Sequence, residues 1–273
     1  MKVAVAVALL ASASPALAET AVDDGPPGVT PPIAFPANPI APPTRPAEPR
    51  RIGLDAVQQR AASTRGLVSS TAVTVPEGKV EVTLQAIVPF AGIASLNAGI
   101  TKTTELWVDG ASTTESDYDG SHDTAYGIGV KQVLFRDKQL AFAVTGSLRK
   151  VPGIGSGDGW RSLGAVGSLC LDDGCGVLVS GAVQQLFGYH EDAYGPNAYG
   201  GGRSETLLTL GVSVGTTTTR VLIDTITLDG ETVGFLGMRL GNARGAVDLG
   251  FAKALGDDGS DESIPWVGLT GRL

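Results

Sequence analysis

From Lys79 to Leu273, apolar side chains recur at every second position, a period that places them on one face of a β-strand and on no face of a helix. Residues 80–90 read VEVTLQAIVPF: Val80, Val82, Leu84, Ala86, Val88 and Phe90 share one face, and Glu81, Thr83 and Gln85 share the other. In 139–149, Leu140, Phe142, Val144 and Leu148 alternate with Ala141, Ala143, Thr145 and Arg149. The same holds for Leu208, Leu210, Val212 and Val214, for Val247, Leu249 and Phe251, and for Val267, Leu269 and Leu273. About twelve such segments follow one another: 80–90, 92–100, 104–111, 124–135, 138–151, 161–171, 175–188, 204–215, 219–228, 231–240, 243–254 and 263–273. Most run near the ~9–11 residues that a tilted strand needs to cross a bilayer.

The connections sort by length. Short turns fall at Arg136-Asp137, Asp172-Asp173-Gly174, Thr216-Thr217 and Gly241-Asn242, and longer loops at 112–123, 152–160, 189–203 and 255–262. If the last strand descends to a periplasmic C-terminus, every long loop lies outside and the tightest turns lie inside; the first strand then rises from the periplasm. An even strand number with this alternation of turns and loops suits single-chain bacterial barrels. The pattern over 79–273 resembles the small transmembrane β-barrels of Gram-negative outer membranes, a resemblance of pattern without a specific motif. It implies an all-β fold: an antiparallel up-and-down transmembrane β-barrel of about twelve strands in the outer membrane, with membrane lipid and the insertion machinery as partners. The targeting signal of that class usually ends in an aromatic residue; here the terminal residue is Leu273.

A soluble secreted β-sandwich that binds a ligand also alternates. Against it, the apolar face recurs on nearly every strand while the opposite face is small and polar. Six aromatics, Phe90, Tyr126, Trp160, Phe187, Tyr189 and Trp266, fall at or near the predicted outer strand ends and could form one girdle. Outward-facing Lys or Arg at mid-membrane costs about 2–4 kcal/mol, so mid-strand charges belong in the lumen. By alternation these are Glu81, Glu105, Asp109, Lys131, Arg149, Asp224, Arg239, Asp248 and Arg272. Leu222 and Ile226 share the face of Asp224. So balanced a set fits either a salt-bridged plug, where the charges are structural, or a small hydrophilic channel, where they select.

Ahead of the strands, residues 1–18 (MKVAVAVALLASASPALA) have a Lys2 n-region, an apolar core and an Ala16-Leu17-Ala18 cleavage site, the form of an export signal. Ten of the sixteen prolines lie between Pro26 and Pro49, a density that favours extended polyproline II and cannot pack a core. Residues 19–52 are therefore expected to be a disordered periplasmic linker, either passive or in touch with the cell wall or a protein partner. Residues 53–78 are a lead-in, a short helix at 54–64 or an extended stretch.

Cys170 and Cys175 flank Leu171-Asp172-Asp173-Gly174, a hairpin turn that brings the two strand ends together, and export favours a disulfide there. Both histidines fall in predicted external loops, in DYDGSHD (117–123) and YHED (189–192). They raise an alternative, an outer-membrane hydrolase with a site on the extracellular rim, but adjacency along a loop does not establish the nucleophile–base–carboxylate geometry such a site needs. Asp117, Asp119 and Asp123, and Asp257, Asp258, Asp261 and Glu262, carry oxygen-ligand chemistry without the spacing of a full calcium loop. No catalytic residue, metal site or cofactor is assigned. With 28 acidic against 20 basic residues and a net charge of −8, nucleic acid is an unsuitable partner. The reading is thus an outer-membrane barrel, a small pore or a structural envelope protein.

Overall fold

A computed structural model describes residues 53–61, 63, 65–88, 91–113, 124–150, 159–189, 203–255 and 263–273. The export signal, the Pro-rich segment and the long loops lie outside these residues. In chain order the elements are α1 (Leu54–Arg60), β1 (Val80–Ile87), β2 (Ala91–Gly99), β3 (Thr104–Thr113), β4 (Thr124–Arg136), β5 (Leu140–Lys150), β6 (Gly159–Cys170), β7 (Val177–Tyr189), β8 (Arg203–Gly215), β9 (Thr219–Leu228), β10 (Glu231–Gly241), β11 (Gly245–Leu255) and β12 (Ile264–Arg272).

Each strand pairs antiparallel with its sequence neighbours, and β1 closes the ring on β12 with Glu81 opposite Arg272 and Ile87 opposite Trp266. The C-terminal residue completes the seam: Leu273 N–H donates to the Val80 carbonyl at 2.9 Å. Closure leaves no edge strand, so every ladder group can be paired inside a bilayer. It also removes the sandwich, which needs two facing sheets with free edges.

Local chemistry sets the turns. Four of those at one end begin with a side chain that accepts two amide protons of the turn, through one oxygen in Thr101, Thr216 and Asn242 and through both carboxylate oxygens in Asp172. They are Thr101 (from Thr103 and Thr104), Asp172 (from Gly176 and Val177), Thr216 (from Thr218 and Thr219) and Asn242 (from Arg244 and Gly245). Those of Thr101, Thr216 and Asn242 are ST- and Asx-type turns, and Asp172 spans a longer one. At the other end, Asp229 (φ 49°) and Gly230 (φ 82°) take the paired left-handed conformations of a two-residue hairpin. The first end is called the turn end and the second, which carries the longer connections, the loop end.

The outward face is an apolar belt: Val108, Ile128, Leu148, Leu163, Leu210, Ile223, Leu236 and Leu269 are each at least half exposed around the ring. At Val133/Phe135 the register of β4 against β5 slips, so Leu134 and Phe135 both face outward, as a bulge allows. Trp266 departs from the girdle expected of it: it points inward and is 2% exposed. Alternation from Val267 and Leu269 requires this. Tyr126 and Phe187 do lie outward.

The inner face also differs from the small, polar surface expected. Ile87, Ile93, Leu222, Val233, Phe235 and Trp266 form an inward cluster around Leu67 of the lead-in. Near the turn end Leu54 and Val57 of α1, with Val73, pack on Val133, Ala141, Ala143, Val166 and Leu178. A twelve-stranded ring is too wide for its own side chains to fill, and here the chain's N-terminal segment supplies the missing core.

Candidate functional site

The lead-in enters at the turn end. Gly53 N–H donates to the Asp173 carbonyl at 2.7 Å and Leu54 N–H to the Lys138 carbonyl at 2.8 Å, tying the entry to two turns. Gly53 has φ 61°, and a Cβ there would lie 1.8 Å from the Lys138 carbonyl oxygen, so both conformation and space require glycine. After α1 the chain runs without regular structure to an apex around Leu67, then returns through Val73 and Val75 to β1. Glu77 bridges to Gly99, and Gly78 N–H donates to the Gly99 carbonyl at 2.8 Å.

An irregular segment buried in a lumen has main-chain donors and acceptors that no helix or ladder satisfies, so they must find other partners. The wall supplies them. Asp224 accepts from the amides of Val68 (2.9 Å) and Ser69 (3.0 Å). Glu105 accepts from Val75 N–H (2.8 Å) and Ser168 Oγ from Ala72 N–H (2.8 Å). Lys131 donates to the carbonyls of Thr71 (3.2 Å) and Val73 (2.9 Å). Arg239 donates to those of Arg65 (2.6 Å) and Gly66 (3.3 Å), Gln85 to Leu67 (2.9 Å) and Arg272 to Gln58 (2.8 Å).

The same wall charges neutralise one another. Lys131 and Glu105 pair at 3.1 Å, Arg272 and Glu81 at 3.1 Å, and Arg239 holds both oxygens of Asp248 at 2.7 Å. Arg149 pairs with Asp109 nearer the loop end. Glu81, Glu105 and Asp248 are fully buried, and charges that deep persist only when paired and hydrogen-bonded. Lys131, Asp224 and Arg239 are buried as well, and Asp109 and Arg149 line a cavity. Glu105, Lys131, Asp224, Arg239 and Arg272 touch the lead-in's main chain; Glu81 meets it through the Ser63 hydroxyl, which donates at 2.9 Å.

Leu222 and Ile226, which share the face of Asp224, are apolar because they meet the lead-in: both belong to the cluster around Leu67. Close approach also explains two glycines. A Cβ on Gly66 would lie 2.5 Å from the Asp224 carboxylate, and one on Gly211 would lie 2.3 Å from Ser69 Oγ.

Several participants escape the sequence reading. Arg220 lies on the inward parity of β9, so alternation could have found it; its guanidinium donates to the Cys175 carbonyl. Arg65 and Gln58 belong to a segment without periodicity. Arg65 reaches Asn97 (2.5 Å) and Glu105 (3.4 Å), and Gln58 meets Thr74 and Arg136. Arg136 also pairs with Asp55 at 2.6 Å.

Cys170 and Cys175 form a disulfide in the β6–β7 turn, packed beneath α1. In the same turn, the amides of Gly176 and then Val177 hold the Asp172 carboxyl below the usual carboxylate range. On the loop-end side of the lead-in, a cavity of about 180 Å³ is lined by Thr83, Gln85, Ser95, Thr145, Ser147, Ser162 and Gln184, with Trp107, Arg149 and Asp109. His122, His190 and the two acidic loop clusters lie outside the described residues.

Among solved structures, this chain is similar to a KdgM porin, at 8% identity over 71% of this chain and 98% of that one, with a TM-score of 0.51. The same porin in complex with disordered oligogalacturonate matches at 9% identity, with the same coverage and TM-score. The fold is that of a bacterial outer-membrane β-barrel. LpxR from Salmonella typhimurium also aligns, at 9% identity over 71% of this chain and 99% of that one, with a TM-score of 0.45. No protein-family model and no curated protein matches the sequence. The exposed apolar belt is of the kind that such barrels turn toward the hydrocarbon core of a bilayer.

Proposed function

We propose that this protein is a structural barrel of the outer membrane, held closed by its own N-terminal segment and anchoring a Pro-rich arm in the periplasm. The observation that carries the reading is the lead-in itself. It is tied to the turn end at Gly53 and Leu54, and its buried main chain is bonded by wall side chains up to the apex at Leu67. In this reading the nine lumen charges are structural rather than selective. The turn end faces the periplasm, and Glu19–Ile52 continue from Gly53 into that compartment, toward the cell wall or a protein partner. Insertion proceeds through the outer-membrane assembly machinery, with β12 closing the seam.

Planar-bilayer recording tests this. The full-length barrel is expected to give no sustained current, and a variant lacking 53–76 discrete channel events. Sustained open-channel current from the full-length protein would overturn the closed-barrel reading.

A second reading, a small pore whose lead-in moves aside, is favoured by the cavity above the apex, with its hydroxyl and amide lining. A similar structure is a porin in complex with oligogalacturonate. For this chain, passage of a polar solute would require the lead-in to leave its wall contacts, and voltage- or solute-induced opening of the full-length barrel would support that reading.

A further inference from the structure

The contacts between wall and lead-in are of an uncommon kind. Seven wall side chains (Gln85, Glu105, Lys131, Ser168, Asp224, Arg239 and Arg272) bond ten main-chain groups of the lead-in, beside fewer contacts to its side chains, among them those of Ser63 with Glu81, of Arg65 with Asn97 and Glu105, and of Gln58 with Arg136. The ten are the carbonyls of Gln58, Arg65, Gly66, Leu67, Thr71 and Val73 and the amides of Val68, Ser69, Ala72 and Val75. Along 65–75 the carbonyls of Arg65, Gly66 and Leu67 are followed by the amides of Val68 and Ser69, and then by the carbonyl of Thr71, the amide of Ala72, the carbonyl of Val73 and the amide of Val75.

We infer that the lumen is a peptide-binding site that reads the main chain of an irregular or extended polypeptide, with the lead-in as its resident ligand. The inference deepens the closed-barrel reading and rests on it. Every peptide carries the groups this site recognises, whatever its side chains, provided its amides bear protons. Apolar contacts at Leu67 and Val73 set depth and register. The exposed Glu77-Gly78-Lys79 connection is the only covalent link between this ligand and β1.

The test uses the full chain in detergent micelles with a protease site inserted between Glu77 and Lys79. After folding and cleavage, the N-terminal segment is expected to stay bound through size-exclusion chromatography. It should exchange slowly against a fluorescent synthetic peptide of residues 61–78. A peptide that keeps Gly66, Leu67, Val73 and Pro76 in place and scrambles its other residues should bind within about tenfold of the native one. A peptide N-methylated at Val68, Ala72 and Val75 loses three donors and should bind about a hundredfold more weakly, at about 1 kcal/mol for each bond.

Scrambling that weakens binding as much as N-methylation would overturn the inference, as would N-methylation without effect or a native peptide that does not bind. In the uncut chain, Asp224→Ala and Lys131→Met should each raise hydrogen exchange at the amides of 66–75, and unchanged protection there would also overturn it. Conductance of the cleaved barrel with its segment retained separates the two ideas: current then sinks the closed-barrel reading, while the peptide data alone decide the recognition.

Discussion

Lys131 and Asp224 each hold two main-chain groups of the lead-in. Lys131 is almost fully buried and serves three masters, the Glu105 carboxylate and the carbonyls of Thr71 and Val73. Its replacement by Met leaves a buried carboxylate without its nearest cation and two carbonyls without a donor. Breaking a buried pair in this way costs about 3–5 kcal/mol, so Lys131→Met should lower the urea midpoint of the micelle-bound barrel markedly. Asp224→Ala strips two buried amides of their acceptor, at about 1–3 kcal/mol for each group left unsatisfied; Asp224→Asn keeps an acceptor oxygen and should recover part of the loss. Gly211→Leu acts from the other side of the same contact, since its side chain would occupy the space of Ser69. It is expected to leave the ring of strands intact while exposing 65–75 to limited proteolysis.

At the scale of elements, the β6–β7 turn does more than reverse the chain. Its disulfide, the Asp172 cap and the carbonyl of Asp173, which receives Gly53 N–H, make it a platform under α1. Because folding depresses the Asp172 pKa, the stability it adds is present above the unfolded value of about 4 and is lost as pH falls through the lower folded value. The turn should therefore be insensitive to pH from about 5 upward and loosen only below about 4. Asp172→Asn should flatten that acid limb in a hydrogen-exchange titration of Gly176 and Val177. The disulfide closes a short loop, for which chain-entropy arguments give about 2 kcal/mol. Cys170→Ser with Cys175→Ser should lower stability by that order and increase exchange in α1, because the two sulfurs form part of the surface on which Leu54 and Val57 pack.

For the whole molecule, the ring and its filling are separable in principle. Strand pairing runs unbroken from β1 round to β12, whereas the lead-in is bonded to the wall main chain at its two ends and, between them, by side chains of the wall. Without residues 53–78 the barrel should still insert and still shift its mobility on boiling in a denaturing gel, but at a lower temperature than the full chain. If the shortened chain fails to form any heat-modifiable species, the lead-in is required to fold the ring rather than to fill it.

The ring was legible in the sequence because a strand's two faces are written at a period of two, and a bilayer makes the outward face apolar on every strand. That rule reaches exposed Leu269 and buried Asp248 equally. It could not say what the charges on the inward parity meet. Residues 61–75 show no period, because a segment whose main chain is satisfied by the wall needs neither helix nor strand and leaves no repeat behind. The apolar inward residues Leu222 and Ile226 looked out of place for the same reason: their partners lie in the lead-in, more than a hundred residues away in sequence. Sequence alone therefore determined the barrel and the facing of its residues, since both follow from local geometry in a lipid solvent. Only the tertiary structure decided that the lumen is occupied, because burying an irregular chain depends on donors and acceptors converging from seven strands that are distant in sequence.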